Sequence, residues 1–90
     1  VKEPELYKCG LGYVGVYDLP TMKSRGDIIQ SRGGRKVLDT YLGTNEKVML
    51  ANSPARHVEK IKAALFIAHG EDDVRVPMAQ FNFLKDKFLL

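Results

Sequence analysis

Two short runs of almost uninterrupted apolar residues, 9–17 and 63–68, most constrain the fold of this chain. A strand with one face in water alternates polar and apolar residues, whereas a strand covered on both faces does not. The two runs therefore predict buried strands of a parallel sheet. Gly12 and Gly15 lie in the first run, and glycine weakens a strand unless a neighbour must come close. We therefore expect a helix to pack near one of them.

Helical patterns fill the segments between and after the two runs. Apolar residues between 37 and 42 recur at the spacing of one helix face, and Gly43 follows them as a natural helix end. Residues 31–34 read as a break before that helix. In chain order, the predicted elements are a strand over 9–17, short helices over 20–25, 35–42 and 46–51, a strand over 63–68, and a last helix whose apolar stripe is Met78, Phe81, Leu84 and Phe88.

This order predicts an α/β architecture with an incomplete sheet. Helical crossovers between buried strands are the mark of parallel pairing. Two parallel strands do not complete a fold, because each leaves an edge unpaired. The chain has 90 residues and starts with Val1. We therefore expect residues 1–90 to be a fragment of one larger domain, and we expect the fragment to self-associate through its exposed sheet edges.

Charge and composition exclude several classes of function. Lys and Arg number 14 against 11 Asp and Glu, a net charge of +3, and the two signs are interleaved along the chain. Nucleic-acid binders gather their cations on one stripe or element, so we expect no nucleic-acid partner. No apolar run approaches the roughly 20 residues that a membrane-crossing helix needs, so we expect no membrane partner. The single cysteine, Cys9, excludes an internal disulfide and a multi-cysteine zinc site.

The most informative stretch for function is 69–77, which reads His-Gly-Glu-Asp-Asp-Val-Arg-Val-Pro. It follows the second predicted strand, and the loops at the carboxyl ends of parallel strands are where active groups gather. Its three adjacent acids repel one another unless they are solvated, paired or functional. One interpretation makes Asp72 or Asp73 a cap of the turn or helix, with Arg75 as its counter-charge. Another is a magnesium site, which would need further ligands.

The pattern His-Gly-x-x-Asp-x-x-Val-Pro after an apolar strand resembles the catalytic-acid loop of the prolyl oligopeptidase family of serine peptidases. The acylaminoacyl peptidase and dipeptidyl peptidase branch is the most similar. Residues 12–19, residues 52–54 with His57, and Gln80 three positions after Pro77 also fit. The resemblance extends over nearly all 90 residues, in order and at compatible spacing.

The resemblance implies an α/β-hydrolase fold, of which this chain would hold part, and a triad in the chain order Ser, Asp, His. Asp73 matches the acid, which would accept a hydrogen bond from the catalytic imidazole and hold its tautomer. Asp72 is the rival for that role. His69 matches a motif position but not the catalytic histidine, and its other interpretation is a packed or backbone-bonded residue at the strand end.

The resemblance also implies substrate contacts. Arg75 and Val76 match positions near the main chain and the P1 pocket of the substrate, and Tyr17 matches part of that pocket. Two alternatives stay open: Arg75 forms a salt bridge to Glu71 or Asp72, or Tyr17 is a core residue. The family uses no metal or organic cofactor, so we expect neither.

Two members of the triad have no match in this chain. None of its three serines lies in a Gly-x-Ser-x-Gly motif, and no histidine follows Asp73. We therefore expect a longer protein that hydrolyses peptide bonds by acyl transfer, with this chain alone inactive, since losing triad members removes most of the rate. The alternatives are an esterase-type α/β-hydrolase and a non-catalytic α/β binding module.

Overall fold

The computed structural model describes residues 1–89, and its sheet is a pair of parallel strands. Strand β1 (Cys9–Tyr13) pairs with strand β2 (Ala64–Ala68), and the register sets Leu11 opposite Phe66. The described residues contain no third strand. The incomplete parallel sheet confirms the partial α/β fold that the two apolar runs predict.

Helices connect the two strands and follow the second one, in the predicted order. They are α1 (Leu19–Met22), α2 (Arg32–Leu42), α3 (Glu46–Ala51) and α4 (Met78–Phe88), with 3-10 turns at Ile28–Gln30, Pro54–Arg56 and Val58–Lys60. Helix α4 packs on the two 3-10 turns that precede β2 and on α1. None of the helices within residues 1–89 has the length and apolar character that crossing a membrane requires.

Strand β1 ends four residues earlier than the apolar run predicts. Val14 has φ 56°, a left-handed conformation that is rare for a β-branched residue and incompatible with a continued strand. Its N–H still donates to the Ala68 carbonyl oxygen at 3.0 Å. The chain then turns, and the ring of Tyr17 lies where a Cβ at Gly12 or Gly15 would be. The close neighbour of the two glycines is therefore this ring, and the expectation of a helix there is wrong.

Helix α2 begins at Arg32, inside the stretch that reads as a break. The Ser31 hydroxyl caps it by accepting the Gly34 N–H at 2.9 Å. The first N–H groups of a helix have no partner within it, so a serine cap stabilises a start that two glycines disfavour. A Cβ at Gly34 would collide with the Ile28 carbonyl oxygen, so the close approach of the preceding turn requires glycine. Gly43 ends the helix with φ 80°, as expected.

The buried face of α4 differs from the predicted apolar stripe. Leu84 lies in the core as expected, but Phe88 at the end of the helix is 47% exposed. The amide of Gln80, one turn before Leu84, is fully buried instead. Leu84 belongs to the hydrophobic cluster that Tyr17 and Ala55 form with it. A polar residue lies beside this cluster because backbone groups of the neighbouring loop need hydrogen-bond partners there.

The strands are covered on one face only, whereas the apolar runs predict cover on both. Leu11, Tyr13 and Phe66 share one face and are 72%, 75% and 66% exposed. On the opposite face, Gly12 and Ile67 help to line a cavity of about 710 Å³. The apolar runs thus correctly mark the strands, but no element within residues 1–89 covers the face that carries Leu11, Tyr13 and Phe66.

Candidate active site

The loop between β2 and α4, residues 69–77, is called the acid loop after its three adjacent acidic residues. Its own backbone holds the carboxylate of Asp73. Asp73 Oδ1 accepts the Arg75 N–H at 3.0 Å and the Val76 N–H at 2.9 Å. Within residues 1–89, Oδ2 accepts no hydrogen bond, and no cationic side chain forms an ion pair with the carboxylate. The half-buried Asp73 thus has a fixed orientation and one oxygen that can accept a further hydrogen bond. Asp72 beside it is exposed.

His69 closes the base of this loop. Its Nε2 lies 2.6 Å from the Val76 carbonyl oxygen. A carbonyl can only accept, so Nε2 carries the proton and donates it. Nδ1 is buried and has no partner within residues 1–89. His69 therefore lies at a strand end bonded to backbone, and Val76 is joined through its N–H to Asp73 and through its C=O to His69.

Arg75 forms an ion pair that the sequence did not indicate. Its Nε donates to Asp27 Oδ1 at 2.7 Å, across 48 residues of sequence, and not to Glu71 or Asp72. The Asp27 N–H also donates to the Val74 carbonyl oxygen at 2.9 Å. The hydrogen bond from Arg75 lowers the pKa of Asp27, and the same bond raises the pKa of Arg75. Asp27, in the segment before α2, thus binds the acid loop through both its side chain and its backbone N–H.

Tyr17 lies in the core, with 9% of its surface exposed. Its backbone C=O accepts the Ala55 N–H at 3.0 Å, and its hydroxyl has no hydrogen-bond partner within residues 1–89. Burial raises the pKa of this phenol. Tyr17 also lines the large cavity, whose lining includes neither Asp73, Arg75 nor Val76. The structure therefore gathers three of the predicted site residues in one loop and places the Tyr17 ring apart from them.

Asp18 is a buried carboxylate beside Tyr17. Its Oδ1 accepts Arg56 Nε at 2.7 Å, and its Oδ2 accepts the N–H and the hydroxyl of Thr21 at 3.0 and 2.6 Å. Burial by itself would raise the pKa of Asp18, but the hydrogen bonds from Arg56 and Thr21 outweigh it and lower the pKa below its ordinary value. The guanidinium of Arg56 lies 4.5 Å from the centre of the Phe83 ring on α4.

Gln80 joins α4 to the backbone of residues 17 and 18. Its Oε1 accepts the Tyr17 N–H at 2.9 Å and the Asp18 N–H at 2.8 Å. Its Nε2 donates to the Asp18 carbonyl oxygen at 2.8 Å. The amide thus pairs three backbone groups of the loop that follows β1.

A comparison of the chain with protein-family models gives a match to the prolyl oligopeptidase family over residues 1–86. The chain belongs to the prolyl oligopeptidase family. The matched region includes the whole acid loop and Gln80, so it covers every residue that the resemblance singled out. The membership confirms the family suggested by the loop motif and makes the chain part of a peptidase family.

Two features of this prolyl oligopeptidase family member were outside the reach of sequence reasoning. The pattern Asp18-Leu19-Pro20 indicates a turn or helix start, and Asp18 does cap α1, but nothing in it points to Arg56. The only sequence signal for Gln80 was its position in the family motif.

No group of three or more His, Cys, Asp or Glu side chains within residues 1–89 is placed to hold a metal ion.

Proposed function

We propose that this chain supplies the acidic member of a Ser-His-Asp triad in a peptidase, and that Asp73 is that acid. The observation that supports it is the carboxylate geometry at the carboxyl end of β2. Two backbone N–H groups fix Oδ1, and Oδ2 is left able to accept a hydrogen bond. This is what a triad acid needs, because it must keep its orientation while it binds an imidazole N–H.

In the proposed reaction a serine hydroxyl attacks the carbonyl carbon of the scissile peptide. A histidine takes the hydroxyl proton as the new C–O bond forms, and it later gives this proton to the leaving amine as the C–N bond breaks. Water then hydrolyses the ester by the same route. Asp73 stays ionised throughout, holds the imidazole tautomer and stabilises the imidazolium. Backbone amides of another segment would bind the oxyanion.

The serine and the histidine of this proposal come from polypeptide outside residues 1–90. The chain has no Gly-x-Ser-x-Gly motif and no histidine after Asp73. The members of a triad act as a unit, and the loss of any one removes most of the rate. We therefore expect the isolated chain to be inactive towards peptides and the longer protein to be active.

We assign substrate contacts to Arg75, Val76 and Tyr17 within the same proposal. Support for Arg75 comes from its exposure, since its side chain is 67% exposed although its Nε donates to Asp27. Val76 is half-buried, and its N–H donates to the Asp73 carboxylate, so it lies directly beside the proposed acid. Tyr17 is the least accessible of the three, with 9% of its surface exposed.

Asp73→Asn in the longer protein tests the acid. The amide keeps an oxygen for the two backbone N–H groups but favours the wrong imidazole tautomer. We expect kcat to fall about 10⁴-fold, with a parallel fall in the rate of labelling by a fluorophosphonate. Asp72→Asn is the matched control, because it makes the same change at an exposed neighbour. Full turnover in the Asp73 variant, or an equal loss in the Asp72 variant, would refute the assignment.

A further inference from the structure

The one fully buried polar side chain on α4, within residues 1–89, has no role in the triad chemistry above. Gln80 is 0% exposed, and its amide makes three hydrogen bonds, all to backbone. The partners belong to residues 17 and 18, which lie in neither a strand nor a helix. Without Gln80 the two N–H groups would be buried and unpaired, which costs about 1–3 kcal/mol for each group.

These hydrogen bonds fix the acid loop to the loop that follows β1. Asp73 binds the Val76 N–H, Pro77 follows Val76 directly, and the Gln80 N–H donates to the Pro77 carbonyl oxygen at 2.9 Å. The Gln80 side chain then reaches Tyr17 and Asp18. Both loops follow the carboxyl ends of their strands, where active sites of parallel sheets are built.

The loop that follows β1 is itself fixed by hydrogen bonds, so contacts with this loop can fix the position of α4. The Tyr17 C=O accepts the Ala55 N–H, and the Asp18 carboxylate is paired with Arg56. Moving the first turn of α4 relative to this loop would break the amide contacts. The hydrogen bonds of Gln80 therefore restrict the movement of the start of α4 and of the end of the acid loop.

We propose that Gln80 is a positioning residue for the peptidase reaction, which sets where Asp73 presents its carboxylate to the catalytic imidazole. The inference rests on the proposed role of Asp73. Gln80 touches neither substrate nor the reacting atoms, and it acts through the backbone of α4 and of the loop before it.

The test compares Gln80→Met with Gln30→Met in the longer protein. Gln30 is the only other glutamine of the chain and is exposed, so the control makes the same change without the buried contacts. Rates are taken per active site, counted by fluorophosphonate titration, so that loss of folded protein does not enter kcat. We expect the kcat of Gln80→Met to fall between about tenfold and a hundredfold, because a small misplacement of a catalytic group lowers the rate by that much. KM should stay within about twofold of the wild-type value.

The pH profile separates positioning from folding. A nearby carboxylate favours the imidazolium and raises the pKa of the histidine. A misplaced Asp73 would raise it less, so the acid limb of kcat/KM should move to lower pH in Gln80→Met and stay unchanged in Gln30→Met. A loss of folded protein alone would scale the whole profile without moving the limb.

A second variant that keeps the amide is needed in case the methionine variant does not fold. Gln80→Asn is the variant used for this purpose rather than Gln80→Glu, whose carboxylate would be buried without a cation and would face the Asp18 carbonyl oxygen. Asn keeps an amide that can donate and accept but is one methylene shorter, so we expect a smaller loss of kcat in the same direction. This inference alone would be overturned if the folded Gln80 variants kept the wild-type kcat and the wild-type acid limb of kcat/KM while Asp73→Asn was inactive. An active Asp73→Asn would overturn the proposed function itself.

Discussion

Asp18 carries a fully buried carboxylate whose pKa is nonetheless lower than the ordinary 3.8. Hydrogen bonds from Arg56 and Thr21 stabilise the charged form more than burial destabilises it. The folded protein therefore binds the Asp18 proton less tightly than the unfolded chain does. The resulting stabilisation is complete above the unfolded pKa and is lost as pH falls through the lower folded pKa.

Asp18→Asn should make the stability of the chain less sensitive to acid. We expect a loss of about 2 kcal/mol at pH 7, where the charge-assisted bonds to Arg56 and Thr21 disappear. The difference in unfolding free energy between the variant and the wild type should narrow at pH 3, since the unfolded wild-type chain then takes up the proton that the folded Asp18 carboxylate binds less tightly. Urea unfolding at the two pH values measures both effects.

Asp86→Asn is the matched control for that experiment. Asp86 is exposed on α4 and has no ion-pair partner within residues 1–89. Its neutralisation should leave the unfolding midpoint nearly unchanged at both pH values. If the unfolding free energy of Asp18→Asn kept the full pH dependence of the wild type, the ion pair of Asp18 with Arg56 would not be the cause of that dependence.

At the scale of elements, the sequence predicted which segments are strands and helices better than where they end. Periodicity and apolar runs report burial over several residues, so both strands and the last three helices appear where expected. The ends depend on single backbone events. The left-handed Val14 ends β1 early, and the hydroxyl of Ser31 starts α2 early. Hydrophobic periodicity is read over several residues, so it detects neither the backbone conformation of one residue nor a cap at one residue.

Ser31→Ala should destabilise the chain by about 1 kcal/mol, since the first turn of α2 would lose the cap that offsets its two glycines. Ser31→Gly tests the same site with less effect, a few tenths of a kcal/mol, because glycine is itself an acceptable cap. Urea unfolding of both variants gives the two values. Equal losses in both, or none in either, would mean that the Ser31 hydroxyl does not stabilise the helix start.

At the scale of the whole molecule, local motifs predicted the acid loop but not the contacts that hold it. Asp73 binds N–H groups two and three residues ahead, which a sequence motif can encode. Arg75 pairs with Asp27 across 48 residues and Gln80 reaches Tyr17 across 63. Contacts of that separation depend on how α4 and the turn before α2 pack in the folded chain, and a single sequence carries no direct signal for them.

The sheet also leaves the whole molecule with an apolar surface that has no cover. Both strands are edge strands, with one side of each backbone unpaired within residues 1–89. Leu11, Tyr13 and Phe66 add a neighbouring exposed apolar face, of a kind that monomeric soluble proteins seldom show. The net charge of +3 opposes association only weakly. We propose that the isolated chain self-associates through this face and these edges.

Leu11→Lys combined with Phe66→Glu should shift the isolated chain towards the monomer. The two positions are directly opposite across the strands, so the new charges can pair and preserve the sheet. Light scattering across a concentration series measures the association. Val37→Lys with Tyr41→Glu is the matched control, because it removes two exposed apolar side chains from α2 and leaves the sheet intact. A monomeric wild type at high concentration, or equal dissociation by the α2 pair, would contradict association through the sheet.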